Sequence, residues 1–409
     1  MPAQPSSASA QRSIPRVTPD AARVIAWTAA TCENLAAPDK AMALLTRAVA
    51  VAPDNPAARR KLGNLYLDSF DFAAAVPQFE AALRLDPDST DTRVRLTRCY
   101  NVMRRFGDAL AVLGDAAAAE AHFQRGSALA GLDRAAAAES EFRAALARDP
   151  HHRRACMKLC QTLRADPAAL VAFCEGLAAQ GVNHAQLFLD RGRALALAGD
   201  TDRARRLLFD PARLFAVTPA LPAGFNAALA EELLTNPFPL SDFPTDEEAN
   251  RGSRRVHNLL SGRDPQLIRT LIDVLQGEVD KLIAALVPRP GFDPWPAARP
   301  ASAHIRPWGL LQQGGEYEEW HTHRGGWLSG VYYVGVPPSV SADGEGRGCI
   351  EFGPPRTLRE TNPEFIPVQR IAPREGLLLL APSHYHHHTI PTGVGEPRIS
   401  FAFDVVADG

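Results

Sequence analysis

Two histidine clusters and an arginine stand near the C-terminal end of this 409-residue chain: His321-Thr322-His323, then His384-Tyr385-His386-His387-His388, then Arg398-Ile399-Ser400. Seven of its twelve histidines fall between positions 304 and 388. Imidazole is the commonest protein metal ligand. Residues i and i+2 of a strand project to one face, so His321 and His323 can both point into a barrel. A third ligand must then come from a distant strand, leaving positions of an octahedron open to small molecules. Arg398 and Ser400 also share one strand face, and a guanidinium fork beside a hydroxyl suits a carboxylate. The types and spacing therefore point to a mononuclear metal centre with an anion clamp beside it.

The surrounding sequence has the period such a site needs. From Ser302 the pattern alternates, with His304, Arg306 and Trp308 as its first members. Leu328 to Val336, Cys349 to Phe352, Gly376 to Ala381 and Ile399 to Val406 read as strands, with Gly344 to Gly348 as a hairpin connection. Many short strands with turns between them fit a jelly-roll barrel over 301–409. Residues 211–300 read as a linker with supporting helices. A helix is expected over Phe225 to Leu234, and a long amphipathic one over Asp264 to Val287. Asp264 suits its N-cap and Pro265 its first turn, where a missing N–H costs nothing.

Before that, residues 20–210 are rich in Ala, Leu and Arg, with apolar residues at i, i+3, i+4 and i+7, the pattern of amphipathic helices. Breaks recur at Pro53 and Pro87. Gly63, Phe72, Phe79, Ala82 and Pro87 form a unit that returns as Gly126, Ala138, Phe142, Ala145 and Pro150, with a degenerate copy at Gly192, Gly199 and Pro211. This unit resembles the tetratricopeptide repeat. The copies between Gly63 and Gly126 and between Gly126 and Gly192 are expected to be diverged or shortened, with Leu110 to Ala121 the least regular stretch. Stacked hairpins of this kind make a solenoid whose concave face suits a peptide or protein partner; support for the C-terminal domain is the other role open to them. The fold class expected is thus α+β multidomain, an all-α tetratricopeptide-type solenoid followed by a double-stranded β-helix.

Composition excludes several other classes. Net charge is -2 and basic residues interleave with acidic ones, so neither nucleic acid nor membrane is an expected partner. No stretch approaches the 18 or so uncharged apolar residues of a membrane span. The tail 1–19 is Pro/Ser/Ala-rich without an apolar signal core, which predicts disorder. The six cysteines are scattered, without a CxxC pair, which fits a reducing cytoplasm. Cys156 and Cys160, four apart, and Cys349 read as packing rather than ligands or reactive thiols.

The words His321-Thr322-His323-Arg324-Gly325-Gly326-Trp327, Ser329-Gly330-Val331-Tyr332-Tyr333-Val334, Gly348 to Pro354, Gly376 to Ser383, His387 to Pro391 and Arg398-Ile399-Ser400 occur in a fixed order. They resemble the 2-oxoglutarate- and Fe(II)-dependent oxygenases, in a subgroup that often carries N-terminal tetratricopeptide repeats. The resemblance covers roughly 200–409. It implies Fe(II), 2-oxoglutarate and O2, and a hydroxylase acting on a protein, peptide or small molecule. It implies His321, His323 and His387 as metal-binding catalytic residues, because Pro382-Ser383 and Thr389-Ile390-Pro391 frame His387; His388 is the alternative. It also implies Arg398 and Ser400 as the cosubstrate clamp, with Tyr333 beside them. The family usually has a carboxylate where His323 stands. Three imidazoles, or a carboxylate from Glu351 or Glu319, remain open. His384 and His386 are expected around the pocket, Trp327 and Tyr332 as pocket wall or packing, Arg306 as a substrate contact or a surface residue, and His304 as structural. A catalytically inactive, cupin-like binding module on a repeat scaffold is the competing possibility.

Overall fold

A computed structural model describes residues 38–236, 239–240, 249–256, 259–261, 263–341, 346–354 and 368–408. The tail expected over 1–19, the first repeat residues before 38 and positions 344 and 345 of the expected hairpin lie outside the described residues. The chain folds as two compact units, divided after Ala144. No described helix is long and apolar enough to cross a membrane.

The first unit is helical: α1 Pro38–Val51, α2 Pro56–Asp68, α3 Phe72–Leu85, α4 Thr90–Val102, α5 Phe106–Leu113, α6 Ala119–Gly131 and α7 Ala135–Arg148, the last crossing the division. Local chemistry sets the starts. Asn55, Asp71 and Ser89 each accept the N–H three residues on, and Asn55 is followed by a proline at the first helical position. The turns inside the hairpins need a left-handed residue, supplied by Phe70, Arg104 and Asp133 with φ of 59, 60 and 57°. Glycines mark where paired helices touch. A Cβ on Gly63 would lie 2.8 Å from the Phe79 ring, and one on Gly126 2.7 Å from Phe142. The shortened copy expected between them is the pair α4 and α5, in which α5 has only 8 residues.

The second unit opens with four more helices, α8 Arg153–Thr162, α9 Pro167–Ala179, α10 Ala185–Leu197 and α11 Thr201–Leu208. Gly192 meets Leu208 as Gly63 meets Phe79, so the degenerate copy is a true helical pair. Phe188, Leu189, Leu195, Leu207 and Leu208 of this pair belong to the same apolar core as the strands. Shared burial of that kind is what joins them to one folding unit.

The strands form two facing antiparallel layers. β1 Phe215–Val217, β2 Pro239–Leu240, β4 Arg254–Val256, β5 Ala303–Gln312, β7 Leu328–Gly335, β10 Leu378–Pro382 and β12 Arg398–Ala407 make one sheet, ordered β1-β10-β7-β12-β5-β4-β2. β8 Ile350–Gly353, β9 Gln369–Ile371 and β11 His386–Thr389 make the second, ordered β11-β8-β9, while β3 Asn250–Arg251 pairs with β6 Tyr317–Glu318. Helices α12 Phe225–Leu234 and α13 Pro265–Ala285 cover the larger sheet. Ile268, Leu271, Leu275 and Val279 of α13 are fully buried in the common core, and the Asp264 side chain caps its start through Gln266 N–H. The small strands β1 to β4 were not evident in the Pro-rich lead-in. Each is two or three residues long, too short to show a period; β1 lies along the edge of β10 and β4 along β5, while β2 pairs with β4 and β3 with β6.

Candidate metal centre and its cavity

Backbone pairing creates the site. His321 N–H donates to His387 O at 2.9 Å and His387 N–H returns to His321 O at 3.0 Å, so the two residues face each other across an antiparallel bridge. His323 is not in a regular strand; its N–H is held by Ser383 O at 2.9 Å, just outside β10. The i, i+2 pair therefore converges, but through contacts with the second histidine segment rather than through a continuous strand. One ligand atom from each of His321, His323 and His387 lies within 4.8 Å of the others.

The rings are oriented from behind. His321 Nδ1 donates to Glu319 O at 2.6 Å, His387 Nδ1 to Tyr385 O at 3.1 Å, and His323 Nδ1 to Asp404 Oδ1 at 2.6 Å. An acceptor on every Nδ1 holds each ring with its Nε2 available on the opposite side. His323 Nε2 and His387 Nε2 then face each other at 3.2 Å. A proton or a metal cation between the two nitrogens satisfies that approach. Cis ligands about 2.1 Å from one ion would stand about 3 Å apart. Burial also pushes His321 down to about 3, with the neighbouring His323 adding to it, and burial likewise pushes His387 well below its ordinary value. Neutral imidazole is the form that binds a metal.

Asp404 was not singled out from sequence. Burial opposes its ionisation, yet hydrogen bonds from His323 and Arg306 hold its carboxyl below the usual range. Arg306 Nη2 donates to Asp404 Oδ2 at 2.8 Å, so Arg306 steadies the group behind a ligand. The usable signal was parity: Asp404, Ala402, Ser400 and Arg398 alternate onto one face of β12.

Neither carboxylate considered as a third ligand joins the histidines. Glu351 accepts from His388 Nε2 and from Arg370, while the Glu319 side chain pairs with Arg251. His388 is thereby occupied on the far side, stacked on Trp320 at 4.2 Å. His384 donates to Leu207 O and packs on Phe188, tying the barrel to α10 and α11, whereas His386 does line the cavity. Trp327 stacks on Trp295 at 4.5 Å, and Tyr332 bonds Asn226 of α12; both are packing. His304 pairs with Asp408 on the surface. Cys156, Cys160 and Cys349 are buried free thiols outside any metal-spaced group among the described residues.

The histidines open on a cavity of about 870 Å³ within the second unit. Trp308, Leu310, Val331 and Ala402 form its barrel wall, and Gln186, Asp190 and Arg193 of α10 form a wall opposite. Arg398, Ser400 and Tyr333 do not line this space; they continue the inward faces of β12 and β7 beyond Ala402 and Val331. Arg398 is 2% exposed, donates to Gly348 O and Gln312 Oε1, and keeps its Nε buried without a partner. Among the described residues no carboxylate pairs with it. Its guanidinium lies 5.9 Å from the Tyr333 ring centre, and burial pushes the Tyr333 hydroxyl up to about 12. A buried cation with no counter-ion is costly, so an anion would be favoured beside it.

Residues 306–404 match the model of the family described as "Putative 2OG-Fe(II) oxygenase". Residues 66–132 and 119–152 match two tetratricopeptide repeat models. The chain thus carries a 2-oxoglutarate/Fe(II) oxygenase-family domain behind tetratricopeptide repeats. The three histidines, Asp404 and Arg398 all lie within the oxygenase-family match. No curated protein matches the chain. Among solved structures, MamA from Desulfovibrio magneticus RS-1 is 20% identical, covering 36% of this chain and 86% of its own, with a TM-score of 0.34. PilF of Pseudomonas aeruginosa is 15% identical over 45% of this chain and 87% of its own, TM-score 0.39. A Pseudomonas putida prolyl-4-hydroxylase is 16% identical over 48% of this chain and 94% of its own, TM-score 0.33. The oxygenase-family match ends at Asp404, three residues before the end of β12, and the tetratricopeptide matches end within the helical array.

Proposed function

We propose that the chain is an Fe(II)- and 2-oxoglutarate-dependent dioxygenase that hydroxylates a peptide, protein or small-molecule substrate. The barrel over 301–409 would carry the chemistry, the lead-in 211–300 would support it, and the repeats over 20–210 would present the substrate or a partner. One observation carries the reading: three imidazoles whose Nδ1 atoms are all tied back to acceptors, with Nε2 atoms 3.2 Å apart across the gap between His323 and His387. His321, His323 and His387 would hold the metal. Bound Fe(II) with 2-oxoglutarate would supply oxidation by O2, coupled to decarboxylation of the cosubstrate to succinate.

The chain's own contributions follow from its geometry. Asp404 holds the His323 ring in one tautomer and orientation, and Arg306 keeps Asp404 ionised. Arg398, with its free Nε, would take the far carboxylate of 2-oxoglutarate, with Ser400 and Tyr333 on the same face beside it. The apolar cavity wall of Trp308, Leu310 and Val331 keeps water away from the reacting carbon.

Anaerobic addition of Fe(II) and 2-oxoglutarate should produce a weak visible charge-transfer band, and admission of air should yield succinate. Arg398→Gln should weaken 2-oxoglutarate binding at least a hundredfold while metal affinity stays within a few-fold. A wild-type chain with neither band nor succinate is a binding module instead.

A further inference from the structure

The metal and its cosubstrate leave the α10 side of the cavity unexplained. Arg164, which follows α8, Arg193 of α10 and Arg324, next in sequence to His323, all line it. One carboxylate, Asp190, stands among them. Arg164 Nη2 and Arg193 Nη1 each lie 3.9 Å from Asp190 Oδ1, at the outer limit of an ion pair and too far for a hydrogen bond. The Asp190 side chain is itself only 3% exposed and accepts from Gln186 Nε2 at 2.8 Å. The arginines are more open, with 53% of the Arg164 side chain and 32% of the Arg193 side chain exposed. Arg324 is held in place through its carbonyl by Arg153 at 3.0 Å.

The other cavity arginines differ. Arg255 bonds Glu318 at 2.9 Å and Arg251 bonds Glu319 at 2.8 Å, so each has a close carboxylate. Arg164, Arg193 and Arg324 instead press like charges together: burial lowers Arg193, and Arg164 and Arg324 add to that against the pull of Asp190. Arg164 and Arg193 share one buried, distant carboxylate and Arg324 has no carboxylate partner among the described residues, so planar donor forks are left over. Such forks match an oxyanion two bonds at a time.

We propose that Arg164, Arg193 and Arg324 form the substrate-anchoring subsite of this cavity, and that the substrate carries an oxyanion. This deepens the dioxygenase proposal and rests on it for the word substrate. Arg164 and Arg193 come from the helical array and Arg324 from the segment beside His323, so a bound acid would sit with its charge at these three and its uncharged part toward His321, His323 and His387. A cavity of about 870 Å³ has room for a small acid or one acidic residue of a longer chain.

The test uses the full chain and ligand-observed NMR. The probes are N-acetyl-L-glutamate against N-acetyl-L-glutamine, and N-acetyl-O-phosphoserine against N-acetylserine, titrated with and without Fe(II) and saturating 2-oxoglutarate. At least one acid should bind tenfold or more tightly than its neutral partner; the two acids tell carboxylate from phosphate. Arg164→Gln with Arg193→Gln should weaken that acid at least tenfold while leaving the charge-transfer band in place. Arg164→Gln alone, at an exposed side chain, should weaken it severalfold, and Arg193→Lys should retain part of the affinity. Equal binding of acid and neutral probe, undiminished binding in the double variant, or no binding of either acid would overturn the subsite. Acid binding that persists without any band would sink the dioxygenase reading and spare the subsite.

Discussion

Asp404 backs the candidate centre without being one of its candidate ligands, accepting from His323 Nδ1 at 2.6 Å. His323 stands where the family usually places a carboxylate, and the chain keeps a carboxylate one bond further back, on the Nδ1 of that histidine. A negative group there raises the basicity of the imidazole and fixes its rotation. Asp404→Asn keeps the side-chain shape but removes the charge and leaves Arg306 without its partner. Metal affinity should fall 10- to 100-fold, read by Co(II) or Fe(II) titration. The thermal midpoint should move far less than in a His387→Ala variant, whose ring also packs on Phe352. Unchanged metal affinity in Asp404→Asn would remove Asp404 from the account.

The elements show how local rules and their exceptions divide the work. Helix starts obey capping chemistry, and the paired glycines leave room for Phe79, Phe142 and Leu208. The hairpin turns are less tidy. Phe70 has φ 59° and is 70% exposed, so a bulky L-residue sits in the left-handed region with its ring in water. That conformation costs roughly 1–2 kcal/mol for a residue with a Cβ. Phe70→Gly should therefore stabilise the first unit by about 1 kcal/mol in urea unfolding, less the greater entropy of glycine in the unfolded chain. A loss of stability would mean that the Phe70 edge contact with Phe72 outweighs the strain.

At the scale of the whole molecule, acid should act on the two units differently. His184, His321, His384 and His387 all lie in the unit 145–409, and burial lowers each of them, to about 4, 3 and 4 for the first three. Between those values and 6.5 the unfolded chain binds more protons than the folded one, so stability rises with pH in that window. It is fully present above about 6.5 and is lost as pH falls toward 4, by up to about 1.4 kcal/mol per group for each unit crossed. The metal-free chain, unfolded in urea at pH 7 and at pH 5, should lose stability in the second unit at the lower pH. His184→Asn, which keeps an acceptor for the Leu187 N–H at the start of α10, should reduce that loss. An equal loss in the variant would exclude His184 from the effect.

The sequence by itself determined the periods and the residue types. Alternation announced the long strands, the 3.6-residue repeat announced the helical repeats, and two histidine clusters with an arginine raised the expectation of a metal site with an anion clamp. Helix α12 and the start of α13 were legible because capping and amphipathicity are local. Only the tertiary structure decided what depends on partners distant in the chain. The bridge between His321 and His387 brings the two clusters face to face, the order of β12 puts Asp404 behind His323, and the free edges of the large sheet call up β1, β2 and β4. The clearest case is α10: its period marks it as one more repeat helix, yet its buried face joins the barrel core and its Gln186, Asp190 and Arg193 wall the cavity. A sequence states which face of a helix is apolar; which apolar surface it meets is settled by packing.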